Sequence, residues 1–592
     1  MGHSRGDGCA NRLCRCTGLL AAMLLGIHCP AVRAETWIWT GLGGDDNWST
    51  ASNWSSTSPA PPTNLYTTTL IFDGQSRLTP AQDIDNSFQF GNMVFATNAG
   101  AFLLGGTNNV CGQWAWRSLQ FAGANPCLTV FGGSNVLIRG PMITRDAHTN
   151  NTISVASGMT LQVPWIKGGQ WRVVVKKGAG TLRVYEHADG QYYLESFCDV
   201  GPEYRVEDGT VEMGTWTNRH VLASDNVTWK AASNEVKVSY NLTVGDGVGS
   251  ATSAVFRLIG PAQKQLIDNN LAITVNADGL LDLNGVQDWD TTNAPCLAVS
   301  NGLVRMGSSS LYVRNGRTLE LRGGARIEGD GNSAIRFYDG ATAIVDGLAT
   351  CAVLAASAAL VSAANGAGVV FQVSGCTGDV AALAVTGHLG AEVAGSHLVK
   401  RGAGTMAIKD LTHALRTNRV EEGVLLLNGL SRCAALSGAA QWVVLTNATL
   451  GGGGIISNAT VLLQGGTIDP GGATAGTLTI ASNLLLAAGA TLAFDLARAN
   501  SASGGTNDQL VIQNGAVAGL SNAALRIDIN DQLNVDGQRF RVISGGGNFT
   551  GQSFGAVSLT GCRGRYAEVT VGNGYVDVTI RNLYAGTGLI MR

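Results

Sequence analysis

Two near-identical peptides lie 224 residues apart: Lys176-Lys177-Gly178-Ala179-Gly180-Thr181-Leu182 and Lys400-Arg401-Gly402-Ala403-Gly404-Thr405-Met406. Each is followed by a second matched piece, Val206-Glu207-Asp208-Gly209-Thr210-Val211 or Val420-Glu421-Glu422-Gly423-Val424-Leu425. From the first glycine of the block to the glycine of the later piece is 31 residues in one copy and 21 in the other. Matched strands that tolerate such an insertion fit a chain of stacked coils whose corners accept extra residues. The block glycines permit positive φ at a corner, and Thr-Leu begins a strand with one side chain out and one in. The cations Lys176, Lys177, Lys400 and Arg401 are expected at solvent before the bend. A solvated corner is the plain reading of them, and contact with an acidic glycan the sharper one.

The remaining chain has the same texture, a succession of short β-type runs punctuated by Gly, Asn and Asp. Examples are Val136 to Ile138, Arg172 to Val175, Ala272 to Val275, Leu280 to Leu283, Leu303 to Met306, Leu319 to Leu321, Val461 to Leu463 and Val576 to Ile580. No helical pattern of ordinary length separates them, which argues against an α/β layout. Between Leu478 and Leu496 three such runs, Leu478 to Ile480, Leu484 to Leu486 and Thr491 to Phe494, are joined by tight corners. Three strands in that span make one coil of a parallel β-helix, each strand pairing with its equivalent in the next coil about 4.8 Å away. The fold class expected is therefore all-β, a parallel β-helix (β-solenoid) with an N-terminal aromatic-rich cap and a small C-terminal β region. About 25 coils would fit, giving a rod on the order of 100 Å.

A solenoid must block its two open ends against pairing with another chain. Residues 35–130 hold Trp37, Trp39, Trp48, Trp54, Trp114 and Trp116, half of the twelve tryptophans, and a proline cluster from Pro59 to Pro62. Bulky aromatics there read as an end plug, with a sugar-stacking surface as the other option. Residues 131–496 form the expected β-helix, and 497–592 its end or a β cap. The alanine-rich piece from Ala349 to Ala367 is read as an irregular coil, and Ala497 to Asn507 as a flexible loop.

Residues 1–34 read as a cleaved export signal. Arg5, Arg12 and Arg15 precede the apolar run Leu19 to Ile27, and Val32-Arg33-Ala34 offers a cut before Glu35. That run is too short to span a bilayer, and no later segment is long and apolar enough to do so as a helix. Gly26-Ile27-His28 fits poorly with lipidation of Cys29. The expected address is secreted or cell surface.

A net charge of −3 over 592 residues provides no field for nucleic acid. The 45% apolar content supports a folded chain in spite of 80 glycines. Cys351 with Cys376, or Cys111 with Cys127, could bridge in an oxidising compartment, or remain as buried thiols. None of the cysteines has zinc-ligand spacing.

The Lys-Gly-Ala-Gly-Thr-Leu block followed by Val-Glu-(Asp/Glu)-Gly resembles the autotransporter-associated β-strand repeat, or passenger-associated transport repeat, with copies at about 174–214 and 398–429. Gly465-Gly466-Thr467-Ile468-Asp469-Pro470-Gly471-Gly472 with Gly476 to Ile480, and Trp37-Ile38-Trp39-Thr40-Gly41 with Asn47-Trp48 and Asn53-Trp54, are similar to pieces of such exported passengers. The resemblance implies an exported β-helical passenger whose repeats help it fold outside the membrane. The chain departs from that pattern after Asn582 to Arg592, where a C-terminal translocator barrel would be expected to follow.

Parallel β-helices also host polysaccharide lyases and hydrolases, so opposed carboxylates matter. The acidic groups are Asp45-Asp46, Asp282 with Asp288 and Asp290, and Asp528 with Asp531 and Asp536. Asp288-Trp289-Asp290 could hold a sugar, though an exposed corner is the plain reading. The Asp528 to Asp536 stretch lacks regular calcium-loop spacing. His388 in Gly387-His388-Leu389-Gly390 lacks the companions of a pectin-hydrolase site. No Gly-x-Ser-x-Gly elbow, His-Glu-x-x-His or phosphate loop is present. No catalytic, cofactor or metal residue is assigned from sequence. The expected function is a structural or adhesive solenoid presenting loops to surfaces or glycans, with a carbohydrate-active β-helix enzyme as the alternative.

Overall fold

The computed structural model describes residues 35–583 except 56–59, 106–117, 147–148, 169–170, 185–201, 215–219, 223–228, 232–239, 261–270, 286–295, 315, 347–349, 362–367, 376–380, 392–395, 413–416, 433–439, 473, 497–506 and 530–535. The export signal, Trp114, Trp116, Asp288 to Asp290, Asp531, and most of the Ala497 to Asn507 loop lie outside the described residues.

The chain winds as a parallel β-helix of triangular cross-section. Its first face is a row of 19 parallel strands running from Thr36–Trp39 through Thr69–Phe72 and Val173–Lys177 to Val517–Ala518. The second face runs from Leu103–Leu104 to Ala556–Thr560. A third face spans four strands from Ser87–Phe90 to Ile166–Lys167 and resumes at Ser310–Val313. The described helical elements are two three-residue 3-10 turns, at Ala51–Asn53 and Leu520–Asn522. The expected coil is present: Thr477–Ala481 lies on the third face, Leu484–Leu486 on the first and Thr491–Leu496 on the second.

Fewer coils stack than length alone suggested, because their sizes differ. Equivalent first-face residues are 19 apart at Gln441 and Thr460 but 38 apart at Tyr204 and Leu242. The two repeat copies show where the additional residues go. The stretch that lengthens the first copy falls in sequence between strands Thr181–Val184 and Glu203–Val206. The alanine-rich segment, expected to be irregular, forms two short strands, Ala352–Leu354 and Ala358–Val361. Stacking on coils above and below supplies the ladder partners that outweigh the helical propensity of alanine.

Period-two alternation turns one residue of each pair inward. On the second face the inward row Leu182, Val211, Phe256, Leu281, Val304, Ile327 is fully buried. Its outward neighbours in register are Arg183, Glu212, Arg257, Asp282, Arg305 and Glu328, whose charge signs alternate along the stack. Arg183 Nε lies 2.8 Å from Glu212, and Arg257 Nε 3.0 Å from Asp282. A one-coil slip would place like charges together, so this row favours one register.

Both ends are managed. Trp37, Trp39, Trp48 and Trp54 are all buried, and Trp39 packs edge-on against Trp54 at 5.1 Å while Trp48 meets Phe88 at 5.2 Å. These four rings fill the end of the stack and are not available to stack on sugar. Strand Trp54–Ser55 pairs antiparallel with Thr36–Trp39 and covers its edge. At the other end Arg539–Asn548 pairs antiparallel with Arg565–Asn582, breaking the parallel template.

Candidate functional site

Lys176 and Lys400 are not at solvent. Each is wholly buried, which corrects the sequence expectation. Alternation puts Lys176 on the same inward side as Val174, and Lys400 on that of Leu398, so both side chains enter the corner of the coil. There Lys176 Nζ donates to the carbonyls of Lys177 (2.9 Å), Gly178 (2.5 Å) and Asp208 (3.0 Å). Lys400 Nζ does the same to Arg401 (3.1 Å), Gly402 (2.6 Å) and Glu422 (2.9 Å). Two carbonyls come from its own corner and one from the coil stacked next to it. An ammonium has three N–H donors, and each clasp uses all three. Burial pushes both ammonium groups down to about 8, opposed by the nearby Asp208 or Glu422.

The block glycines complete the clasp. Gly178 and Gly402 turn the corner at φ +72° and +78°. Gly209 and Gly423, at φ +70° and +71°, lie so close beneath that corner that a Cβ on Gly209 would sit 2.7 Å from Lys176 Nζ. The neighbouring cations do lie outside, as expected: Lys177 pairs with Glu207 at 2.9 Å and Arg401 with Glu421 at 2.7 Å. Such exposed pairs contribute little, about 0–1 kcal/mol. The repeat motif is thus a structural clasp that ties one coil to the next.

The acids flagged from sequence are largely occupied by structure. Asp45 accepts from the backbone N–H of Asn47 and from Thr50 Oγ1, and the buried Asn53 donates to its carbonyl at 2.9 Å. Asp46 pairs with Arg77 at 2.9 Å. Asp282 is 5% exposed within the charge row. Asp528 pairs with Arg526 at 3.0 Å, and Asp536 accepts from the N–H of Asn582. His388 is exposed on the strand Leu383–Ala391. Cys127 Sγ lies 3.3 Å from Thr129 Oγ1, Cys351 Sγ donates to the carbonyl of Ala352 at 3.2 Å, and Cys111 and Cys376 lie outside the described residues.

An acidic group that sequence reasoning missed lies near the C-terminal end. Carboxylate oxygens of Asp469, Asp495 and Asp508 fall within 4.8 Å of one another. Asp469 and Asp495 project outward from adjacent second-face strands, with Asp528 in register beside Asp495. Asp508, immediately before the strand Gln509–Ile512, is fully buried and accepts from the N–H groups of Gly476 and Asp495 at 2.8 Å each. Here the row places like charges side by side, the opposite of the alternating row upstream. Burial first, and Asp495 next, push Asp469 up to about 7. Burial pushes Asp508 up to about 7 against its two backbone hydrogen bonds. Hard carboxylate oxygens at this spacing have the donor chemistry of a calcium-type cation, or of acids sharing protons. None of the three is near another in sequence except through the winding, so no local signal marks them.

No protein-family model matches the chain, and a search of curated proteins finds no significant match. Among the described residues, no helix is long and apolar enough to cross a membrane.

Proposed function

We propose that the protein is an exported structural rod, similar to an autotransporter passenger, that acts at the cell surface by presenting its lateral faces to glycans or neighbouring cells. The observation that carries this reading is the use made of the repeat motif. Its lysine and glycines join coil to coil, and the flagged acids among the described residues serve ion pairs and turns, so these polar residues serve the stack. The repeat resemblance and the export signal read from sequence supply the address. A parallel stack that grows by templating each coil on the last suits a chain that folds after export.

Incubation of the purified protein with acidic and neutral polysaccharides tests the reading. The expected result is retention on some of them with no new chain ends. Reproducible cleavage of any would replace the rod with a carbohydrate-active enzyme.

A further inference from the structure

The coil next to the second clasp has a polar interior. It runs Thr417–Val420 on the first face, Gly423–Leu427 on the second and Leu430–Arg432 on the third. Asn418 points inward on the first face and Ser431 inward on the third, and both are shut off from solvent. In the following coil Trp442 stands beside Asn418 in register and is also wholly buried. Neither amide atom of Asn418, nor Ser431 Oγ, nor the Trp442 indole nitrogen has a hydrogen-bond partner among the described residues. Asn151, another inward residue of the first face, shows the contrast: its amide nitrogen donates to the carbonyls of Thr149 and Val173 at 3.3 and 2.9 Å. Polar atoms sealed from water without a partner are costly, and such a concentration of them calls for an explanation.

The winding gathers these groups. Side chains in register on neighbouring strands start about 4.8 Å apart, so the Asn418 amide and the Trp442 indole lie side by side. Each is the second residue of its strand, at the end where the chain arrives from the third face. Both therefore sit on the side of the interior nearest Ser431. The inward residues that continue the Ser431 row are Ile456 and Ile480, both fully buried. A serine in that row leaves open the volume that isoleucine fills in the next two coils. The groups around this space are neutral: an indole donor, an amide donor and acceptor, and a hydroxyl that does either. A neutral ligand that both donates and accepts, and is small enough to fit between coils, matches that set. Internal waters typically make about three hydrogen bonds, the number of side chains that converge here.

We propose that Asn418, Ser431 and Trp442 form a binding site for an ordered water molecule in the interior of the rod. The water accepts from the Trp442 indole, donates to the Asn418 oxygen and bonds Ser431 Oγ. It joins one coil to the next through the core, as Lys400 does at the corner. Enclosed on all sides, it leaves only when the coils part, so it exchanges slowly with bulk solvent. The site is independent of the surface role proposed above.

A crystal structure of the full chain, at a resolution that shows ordered water, tests this first. The expected result is a density peak roughly 2.7–3.2 Å from both Asn418 Oδ1 and Trp442 Nε1. Density that shows the Asn418 amide bonded to a protein group, or side chains filling the space, overturns the proposal. Oxygen-17 relaxation dispersion, which counts long-lived internal waters, tests it in solution. Asn418→Leu should lose one such water relative to the wild type, whereas Arg419→Gln, the outward neighbour paired with Glu421, should lose none. An unchanged count in Asn418→Leu, or an equal loss in Arg419→Gln, overturns the proposal. Far-UV circular dichroism checks that each variant folds. Should Asn418→Leu fail that check, Trp442→Phe, which removes one N–H and keeps a ring, takes its place with the same two outcomes.

Discussion

Replacing Lys400 with methionine should unlock the corner at Gly402 and destabilise the fold by about 3 kcal/mol. Methionine fills nearly the same volume, so the loss is of hydrogen bonds rather than packing. The carbonyls of Arg401, Gly402 and Glu422 would lose the buried donor that serves them, and each carbonyl left without a partner costs roughly 1 kcal/mol or more. Relief of the ammonium's own desolvation offsets part of this. In a solenoid the damage should be local, since each coil contacts its neighbours alone. Hydrogen exchange reads it directly: the amides of Gly404 and Glu421, which bond to Val373 and Lys400 across coils, should exchange much faster, while those near Gly180 should not change. Unchanged protection at both places would mean that the clasp holds nothing.

Raising the pH from 4 to 8 should weaken the C-terminal end of the stack through the three aspartates. In the folded chain Asp469 and Asp508 keep a proton up to about 7, against 3.8 as the ordinary value. Between those values the folded state holds more protons than the unfolded one, so stability falls as pH rises. The contribution is whole below about pH 4 and is lost as pH passes through 7. Other carboxylates act in the opposite sense: burial raises Asp577, but its bonds from Arg541 and Arg539 outweigh this and hold it low. The comparison must therefore be with Asp469→Asn, which removes one like charge without changing shape. The variant should show a flatter urea midpoint against pH and, at pH 8, exceed the wild type by on the order of 1–2 kcal/mol. Midpoints that run parallel at every pH would contradict the account.

The fold was legible because its signals are local. Runs such as Val461 to Leu463 and Leu484 to Leu486 carry strand composition and are bounded by turn residues, and the spacing of the three runs from Leu478 to Leu496 dictates a triangular coil. The buried lysines were not read, although a signal existed. The alternation Val174–Lys176 and Leu398–Lys400 puts each lysine on an inward side, but the acceptor that makes burial tolerable is a carbonyl 32 residues away at Asp208, or 22 away at Glu422. A lysine followed by a second cation and a glycine therefore looked solvated. The aspartate trio shares this character: the winding brings its members together, and the distance between them in space is set by coil length, which varies with the loops. Register had to be known first. Asp45 and Asp46 show the converse, since acids adjacent in sequence turned out to serve a turn and an ion pair.

Small-angle X-ray scattering of the purified chain tests the central claim, a single continuous stack, most directly. The 19 first-face strands at about 4.8 Å per step require a particle whose longest dimension is on the order of 90–100 Å. A pair-distance distribution with the long tail of a rod and that maximum is the predicted result. A near-spherical particle about 65 Å across, with the radius of gyration of about 25 Å expected of a compact chain this long, would contradict it.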